Sequence, residues 1–156
     1  MTTNRKAYFN YHIEDSLRAG IVLRGSEIKS IRDGKIDISQ AFCRIQNQEI
    51  WLHNAHIAPY ENASIQSDHD PLRSKKLLLK KKEIIKWDLE VKRKNYIIVP
   101  LNLVITKGKA KIKIGLGKSK RKFDKRSVIK NREAQRDIDK TRKAKVIRGE
   151  KVPPHQ

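Results

Sequence analysis

Cysteine is nearly absent, with Cys43 standing alone in 156 residues. A lone thiol excludes an internal disulfide framework and a cysteine-ligated metal cluster, and it suits a reducing compartment. Set in the alternating run AFCRIQ, it reads as a half-buried structural thiol. Long apolar runs are missing as well. Nothing approaches the roughly 18 residues that read as a membrane span, and the start, MTTNRKAYFNYHI, lacks the apolar centre of a secretory signal. The expectation is a cytoplasmic protein with no membrane partner. Acidic residues are the third scarcity: 17 Asp+Glu face 37 Lys+Arg, for a formal net charge of +20 and a pI near 10.2. An excess of that size opposes compaction and favours a polyanion, nucleic acid ahead of an anionic membrane surface. The membrane-surface reading also needs a strong amphipathic face, which the apolar residues do not form.

The charge has a distribution as well as a total. Lys118 to Lys151 holds 15 Lys+Arg and 5 Asp+Glu, a net +10 out of +20, so the remainder carries the other +10. Body and tail are both basic. In RSKK and KKKE the bases surround Leu77-Leu78-Leu79, and in GKSKRKFDKR they surround Phe123. Lys and Arg neutralise phosphates and release counterions, while an aromatic among them can stack on a base.

Enzyme signatures are thin. His53 and His56 in HNAH, and His69 between Asp68 and Asp70, could serve a metal or acid/base site, but no third ligand stands at diagnostic spacing. No P-loop, dinucleotide glycine fingerprint or Gly-x-Ser-x-Gly elbow occurs. GLGKSK at Gly115–Lys120 lacks the Walker spacing and reads as a strand end with a basic exit. No catalytic residue, metal or cofactor is expected.

The length suits one modest core. Tyr8–Ile13 reads as a strand by its aromatic content and EDSLRAG as a helical turn closed by Gly20. Ile21–Leu23 reads as a buried strand. A helix opens at Gly25-Ser26, with Ile28 and Ile31 on one face and Lys29, Arg32 and Lys35 outward, and Asp33-Gly34 turns the chain. Phe42–Gln46 and Glu49–Leu52 form a hairpin through Asn47-Gln48. NASIQSDHDPLRSKK reads as a long loop and Leu77–Lys92 as a helix. Strands Tyr96–Ile105 and Ala110–Gly117 turn through TKGK. Short strands without βαβ rhythm favour a mainly β fold, an OB-like antiparallel barrel with flanking short helices. It would span residues 1–117. Residues 118–156 form a basic tail: Val128, Ile129, Ala134, Ile138, Val146 and Ile147 are too sparse for a continuous stripe. Such a segment is expected to be disordered when free and to fold on a charged partner.

Three stretches, GSEIKSIRDGKIDIS, DPLRSKKLLL and KIKIGLGKSKRKFDKR, resemble in order and separation the motifs of the SsrA-binding protein (SmpB) family, and the likeness runs from about Arg5 to about Lys145. The resemblance implies a non-enzymatic RNA-binding adaptor for ribosome rescue by trans-translation. Its body would bind the tRNA-like domain of transfer-messenger RNA. With elongation factor Tu it would enter a stalled ribosome, where the tail becomes helical in the empty mRNA channel against ribosomal RNA of the decoding region. By position, the resemblance assigns RNA contacts to Glu27, Lys29, Ser30 and Arg32, to Lys75, Lys76 and Leu78, and to Lys118, Lys120 and Lys122. Phe123, Asp124, Lys125 and Arg126 would begin the ribosome-binding tail, with Phe123 placed to stack on a ribosomal base. Two positions depart from the family pattern. Arg18 stands where Glu is common and Lys80 where Asn or His is common, which exchanges hydrogen-bond readout for attraction to phosphate. A ribosomal or generic OB-type RNA binder fits the composition alone equally well.

Overall fold

The structure is a computed structural model that describes residues 1–60 and 70–149. In chain order the elements are β1 (Thr2–Thr3), α1 (Arg5–Asn10), β2 (Tyr11–Ile21), α2 (Gly25–Arg32), β3 (Ile36–Asp37), β4 (Phe42–Gln46) and β5 (Glu49–His53). There follow β6 (His56–Ile57), β7 (Lys75–Leu78), α3 (Lys81–Lys94), β8 (Ile97–Thr106), β9 (Lys109–Ser119) and α4 (Lys122–Ile147). The expected mainly β architecture with flanking helices is the one adopted. Met1–Ser119 and Lys120–Gln156 are separate compact units.

The seven-stranded sheet runs β1-β8-β4-β5-β7-β2-β9, and β9 pairs back onto β8. Its ladders are antiparallel. β3 and β6 form a small second sheet. Turn chemistry fixes the two hairpins. Asn47 (φ 51°) and Gln48 (φ 62°) are both left-handed, as are Lys107 (φ 50°) and Gly108 (φ 75°). Two such residues make the turn whose twist matches the flanking strands. Period-two alternation then sends Ile112, Ile114 and Leu116 of β9 inward with Ile50, Leu52, Leu77 and Leu103, leaving Lys111 and Lys113 on the other face.

Four local expectations are corrected. Tyr8 belongs to α1, which Asn4 caps by accepting the Ala7 N–H (3.1 Å). EDSLRAG is strand rather than helical turn, because β2 pairs continuously with β9 from Tyr11 to Gly20, with a bulge between Ile13 and Asp15. Of the strand expected at Ile21–Leu23, only Ile21 is strand, as the last residue of β2, and Val22 and Leu23 lead on towards α2. The helix expected from Leu77 begins at Lys81, and Leu77-Leu78 instead pair with Ile21 and Gly20. Asn62–His69, most of the expected loop, lies outside the described residues, as do His69 and the C-terminal prolines; Lys75 and Lys76 at its other end are strand.

Polar anchors hold the helices to the sheet. Asn4 is buried, and its Nδ2 donates to the Ile38 and Pro100 carbonyls (3.0 and 2.9 Å), fixing the N-terminus across β8. Trp87 of α3 is buried and donates its indole N–H to Asp15 at the β2 bulge (3.1 Å). Gly117 marks a close approach, since a Cβ there would run into the His12 carbonyl oxygen. Because that obstacle is backbone, Gly117→Ala must spread β2 from β9. Its urea midpoint is expected to fall by the equivalent of roughly 1–3 kcal/mol or more.

Candidate nucleic-acid interface

β2, β7, β8 and β9, with the start of α3 and both hairpin turns, line a groove of about 1490 Å³. Its basic lining comprises Arg18, Lys76, Lys80, Lys81, Lys107, Lys109, Lys111 and Lys113, against Glu49 and Glu83. Both acids are spoken for. Glu49 pairs with Lys76 (2.8 Å), and Glu83 accepts the Lys80 backbone N–H (3.2 Å) at the start of α3. With eight bases against these two acids, the groove is a concentration of positive charge.

Register sharpens the point. Arg18 lies directly opposite Lys113, and Gly20 opposite Lys111. Like charges facing each other across an antiparallel ladder destabilise it. Three bases on one face of β2–β9 thus cost the free protein stability and are relieved by an anion. Leu78, 54% exposed, presents an apolar side chain amid them. It packs over Gly20, where a Cβ would stand 3.3 Å from that of Leu78.

The surface continues past the β8–β9 turn. Arg32 Nη2 comes within 3.7 Å of the site where Gly108 would carry a Cβ, which joins the exposed face of α2 to the Lys107–Lys109 tip. Lys29, also exposed on α2, sits 5.4 Å from the centre of the Tyr60 ring. Of the residues assigned to RNA from sequence, Lys76 and Leu78 line the groove, Lys29 and Arg32 lie on this neighbouring face, and Lys118 is exposed at the end of β9.

Glu27, Ser30 and Lys75 lie beneath this surface rather than on it. They are 1%, 0% and 0% exposed, so what they touch is protein. Glu27 Oε1 accepts the Arg24 backbone N–H (2.9 Å) and Arg73 Nη2 (2.5 Å), while Oε2 lies 4.0 Å from Lys75 Nζ. Lys75 Nζ donates to the Ala55 and Arg73 carbonyls (3.1 and 2.7 Å). Burial pulls the Lys75 ammonium below the ordinary lysine value, the Glu27 carboxylate opposes that fall, and Arg73 adds to it. This cluster ties the start of α2 to β7 and so sets where Lys76 and Leu78 enter the groove.

In the second unit, α4 carries Lys122, Phe123, Asp124, Lys125 and Arg126 in its first turns. Asp124 accepts the Arg121 N–H (3.2 Å), capping the helix. Lys120 precedes α4. Ile129, Ile138, Val146 and Ile147 are exposed along it. Burial drives the Cys43 thiol above its ordinary value, which suits a structural thiol. His53 and His56 have separate engagements: the former lies 2.8 Å from Ser74 Oγ, and the latter is paired with Asp37 across β3–β6. Among the described residues no group of three or more His, Cys, Asp or Glu could hold a metal ion, and no helix is long and apolar enough to cross a membrane.

A cationic groove with like charges in register, on a β body joined to a long basic helix, places the chain among proteins whose surface suits a polyanion. The sequence model of the SmpB protein family matches residues 1–144. The chain is 49% identical over 137 residues to the SsrA-binding protein of Geobacillus sp. (strain WCH70), covering 88% of each. It is 45% identical over 145 residues to that of Staphylococcus aureus (strain Newman), covering 93% of this chain and 94% of the other. A chain in a solved structure described as "tmRNA-SmpB: a journey to the center of the bacterial ribosome" superposes with a TM-score of 0.65 at 38% identity, covering 82% of this chain and 93% of that one. The chain belongs to the SmpB family.

Proposed function

We propose that the protein is a non-enzymatic RNA-binding adaptor of trans-translation, acting in the cytoplasm. Its body, an OB-like barrel in this reading, takes the tRNA-like domain of transfer-messenger RNA in the groove and on the adjoining face of α2. Glu27, Ser30 and Lys75 position that surface from within, and Lys118, Lys120 and Lys122 add RNA contacts of their own. Delivered with elongation factor Tu to a stalled ribosome, the complex places α4 in the vacant mRNA channel. There Asp124, Lys125 and Arg126 meet ribosomal RNA and Phe123 stacks on a base. In this reading α4 holds its helix lastingly only when that partner is present.

The observation that carries this reading is the facing pair Arg18 and Lys113 with Lys111 beside it, a charge arrangement that a bound polyanion relieves. Support also comes from the names of the relatives, SsrA-binding proteins, and from a structural neighbour described with tmRNA and the bacterial ribosome. Shape and backbone contacts suit a folded RNA, whose A-form major groove excludes side chains.

Arg18→Ala supplies the test because it moves two quantities in opposite directions. Filter binding of the tRNA-like domain across a salt series should weaken, with the slope of log K against log salt shallower by about one. In the same variant the free protein at low salt should gain about 0.5 kcal/mol, since a like-charge pair is gone. Lys80→Ala should flatten the slope similarly. An unchanged slope in both variants would count against phosphate contacts in this groove. RNA recovered with the purified protein should be one structured species; co-fractionation with a ribosomal subunit in high salt would instead indicate a ribosomal protein.

A further inference from the structure

The outer face of β4 and β5 carries aromatic chemistry that the groove leaves unused. Alternation turns Phe42, Arg44 and Gln46 away from buried Cys43, and Trp51 and His53 away from buried Ile50 and Leu52. Register sets Phe42 opposite His53 and Arg44 opposite Trp51, with Trp51 in turn opposite Lys76. The result is a row of two stacked rings beside a row in which an indole lies between two cations. The Phe42 and His53 rings are 5.4 Å apart and inclined by 29°. Arg44 lies 5.2 Å from the centre of the Phe42 ring, and Ser74 Oγ holds His53 at Nδ1. Burial and the nearby Arg44 keep His53 below the ordinary imidazole value, so it is a neutral flat ring at neutral pH. The rings are held in place by strand and hydrogen bond yet remain partly open to solvent. The other tryptophan, Trp87, is buried in the core.

We infer that this face is a stacking platform for unpaired nucleobases of single-stranded RNA. Every base offers a π-face to Phe42 and Trp51, while Arg44 is placed to meet a phosphate between successive bases; Lys76, paired with Glu49 on the same face, stands at the border with the groove. A protein partner would favour a patch depleted of lysine, and a duplex hides the base faces that the rings require. At the edge of the platform β4 meets β8 through the single pair Cys43↔Ile98. A cleft of about 650 Å³ opens there, lined by Lys6, Tyr11 and Tyr96 alongside Phe42, which gives a strand crossing the platform room to continue. The inference rests on the reading of the protein as an RNA binder and adds a contact of a different kind from the groove.

The test titrates the full-length chain with a fluorescently labelled, unstructured uridine decamer and, separately, with the folded tRNA-like domain. Phe42→Ala and Trp51→Ala should each weaken decamer binding roughly 5- to 150-fold, the range of one lost base–aromatic stack. Trp51→Phe should retain most of the affinity, and Arg18→Ala should lower binding of the folded RNA more than any of these. Decamer affinity unchanged in both alanine variants would overturn the platform, because phosphate attraction alone then accounts for binding. A wild type that binds the folded domain but not the decamer would also overturn it while leaving the proposed function standing; failure to bind either would defeat both. Circular dichroism checks each variant's fold, and Phe42→Ala decides the matter if Trp51→Ala does not fold.

Discussion

Replacing Glu27 by alanine is expected to lower the melting temperature of the body by about 10 °C or more. Among the described residues, Glu27 lies in ion-pairing range of both Arg73 and Lys75. Without it two cations face each other, and one of them, Lys75, is fully buried. Breaking a buried ion pair by deleting one partner costs roughly 3–5 kcal/mol, because the remaining charge keeps its desolvation penalty. Removal also uncaps α2 at the Arg24 N–H, adding about 1 kcal/mol. Lys75→Met should be milder, since Glu27 keeps Arg73 and the methylene stem is replaced by similar volume. The lysine variant carries its own pH signature. Because burial depresses the folded-state value, the unfolded chain holds the Lys75 proton more tightly. Stability therefore rises with pH between that depressed value and the ordinary lysine value. The difference in stability between wild type and Lys75→Met, followed by urea titration from neutral to alkaline pH, should grow over this window. A flat difference would mean that Lys75 is not desolvated.

The same cluster shows what a sequence read along its length can and cannot deliver. The hairpins were legible because their turns are local: Asn47-Gln48 and Lys107-Gly108 announce positive φ, and the alternation on either side fixes the faces. α2 was legible from its glycine-serine start and the Ile28/Ile31 spacing. α1 and β2 were exchanged because Tyr8, Phe9 and Tyr11 carry strand-like content, whereas the cap that starts α1 is one asparagine tied to carbonyls of Ile38 and Pro100. Gly20 looked like a helix stop; its role is to let Leu78 lie close. The run Leu77-Leu78-Leu79 has no period of its own, so pairing partners decided that it is strand. One residue of phase separates Lys75, inside, from Lys76, outside, and identical side chains give no hint of which is which. The partner that makes burial of Lys75 tolerable is Glu27, far away in the chain. For the candidate interface, Arg18 and Lys80 stood out as departures from a family pattern, but their meeting in one groove came from the β2–β7 and β2–β9 registers. The outward rings of Phe42 and Trp51 could have been found by applying to FCRIQ and EIWLH the alternation that was applied to β9.

A chain ended after Ser119 should still bind the tRNA-like domain in a gel shift, within a few-fold at physiological salt, yet add tag peptide to stalled nascent chains only at background level. The body is a compact unit without residues 120–156, and the groove draws its lining wholly from the body. What truncation removes is α4, a helix of 26 residues and so about 39 Å long. Its sparse apolar residues offer no continuous stripe to pack, and isolated helices gain most of their stability from such packing. In the free protein its amides should therefore exchange quickly, and in the assembled complex slowly, with ribosomal phosphates as the compensating charge. Alanine at Asp124, Lys125 and Arg126 together separates charge from placement: it removes the acid that caps α4 and two bases from its first turn while leaving the rest of the helix cationic. If the cationic content alone mattered, this triple variant would tag nearly as well as wild type. If placement at the helix start matters, tagging should drop by an order of magnitude or more with RNA binding unchanged. Simultaneous loss of RNA binding and tagging on truncation would show that the two units do not divide the work in this way.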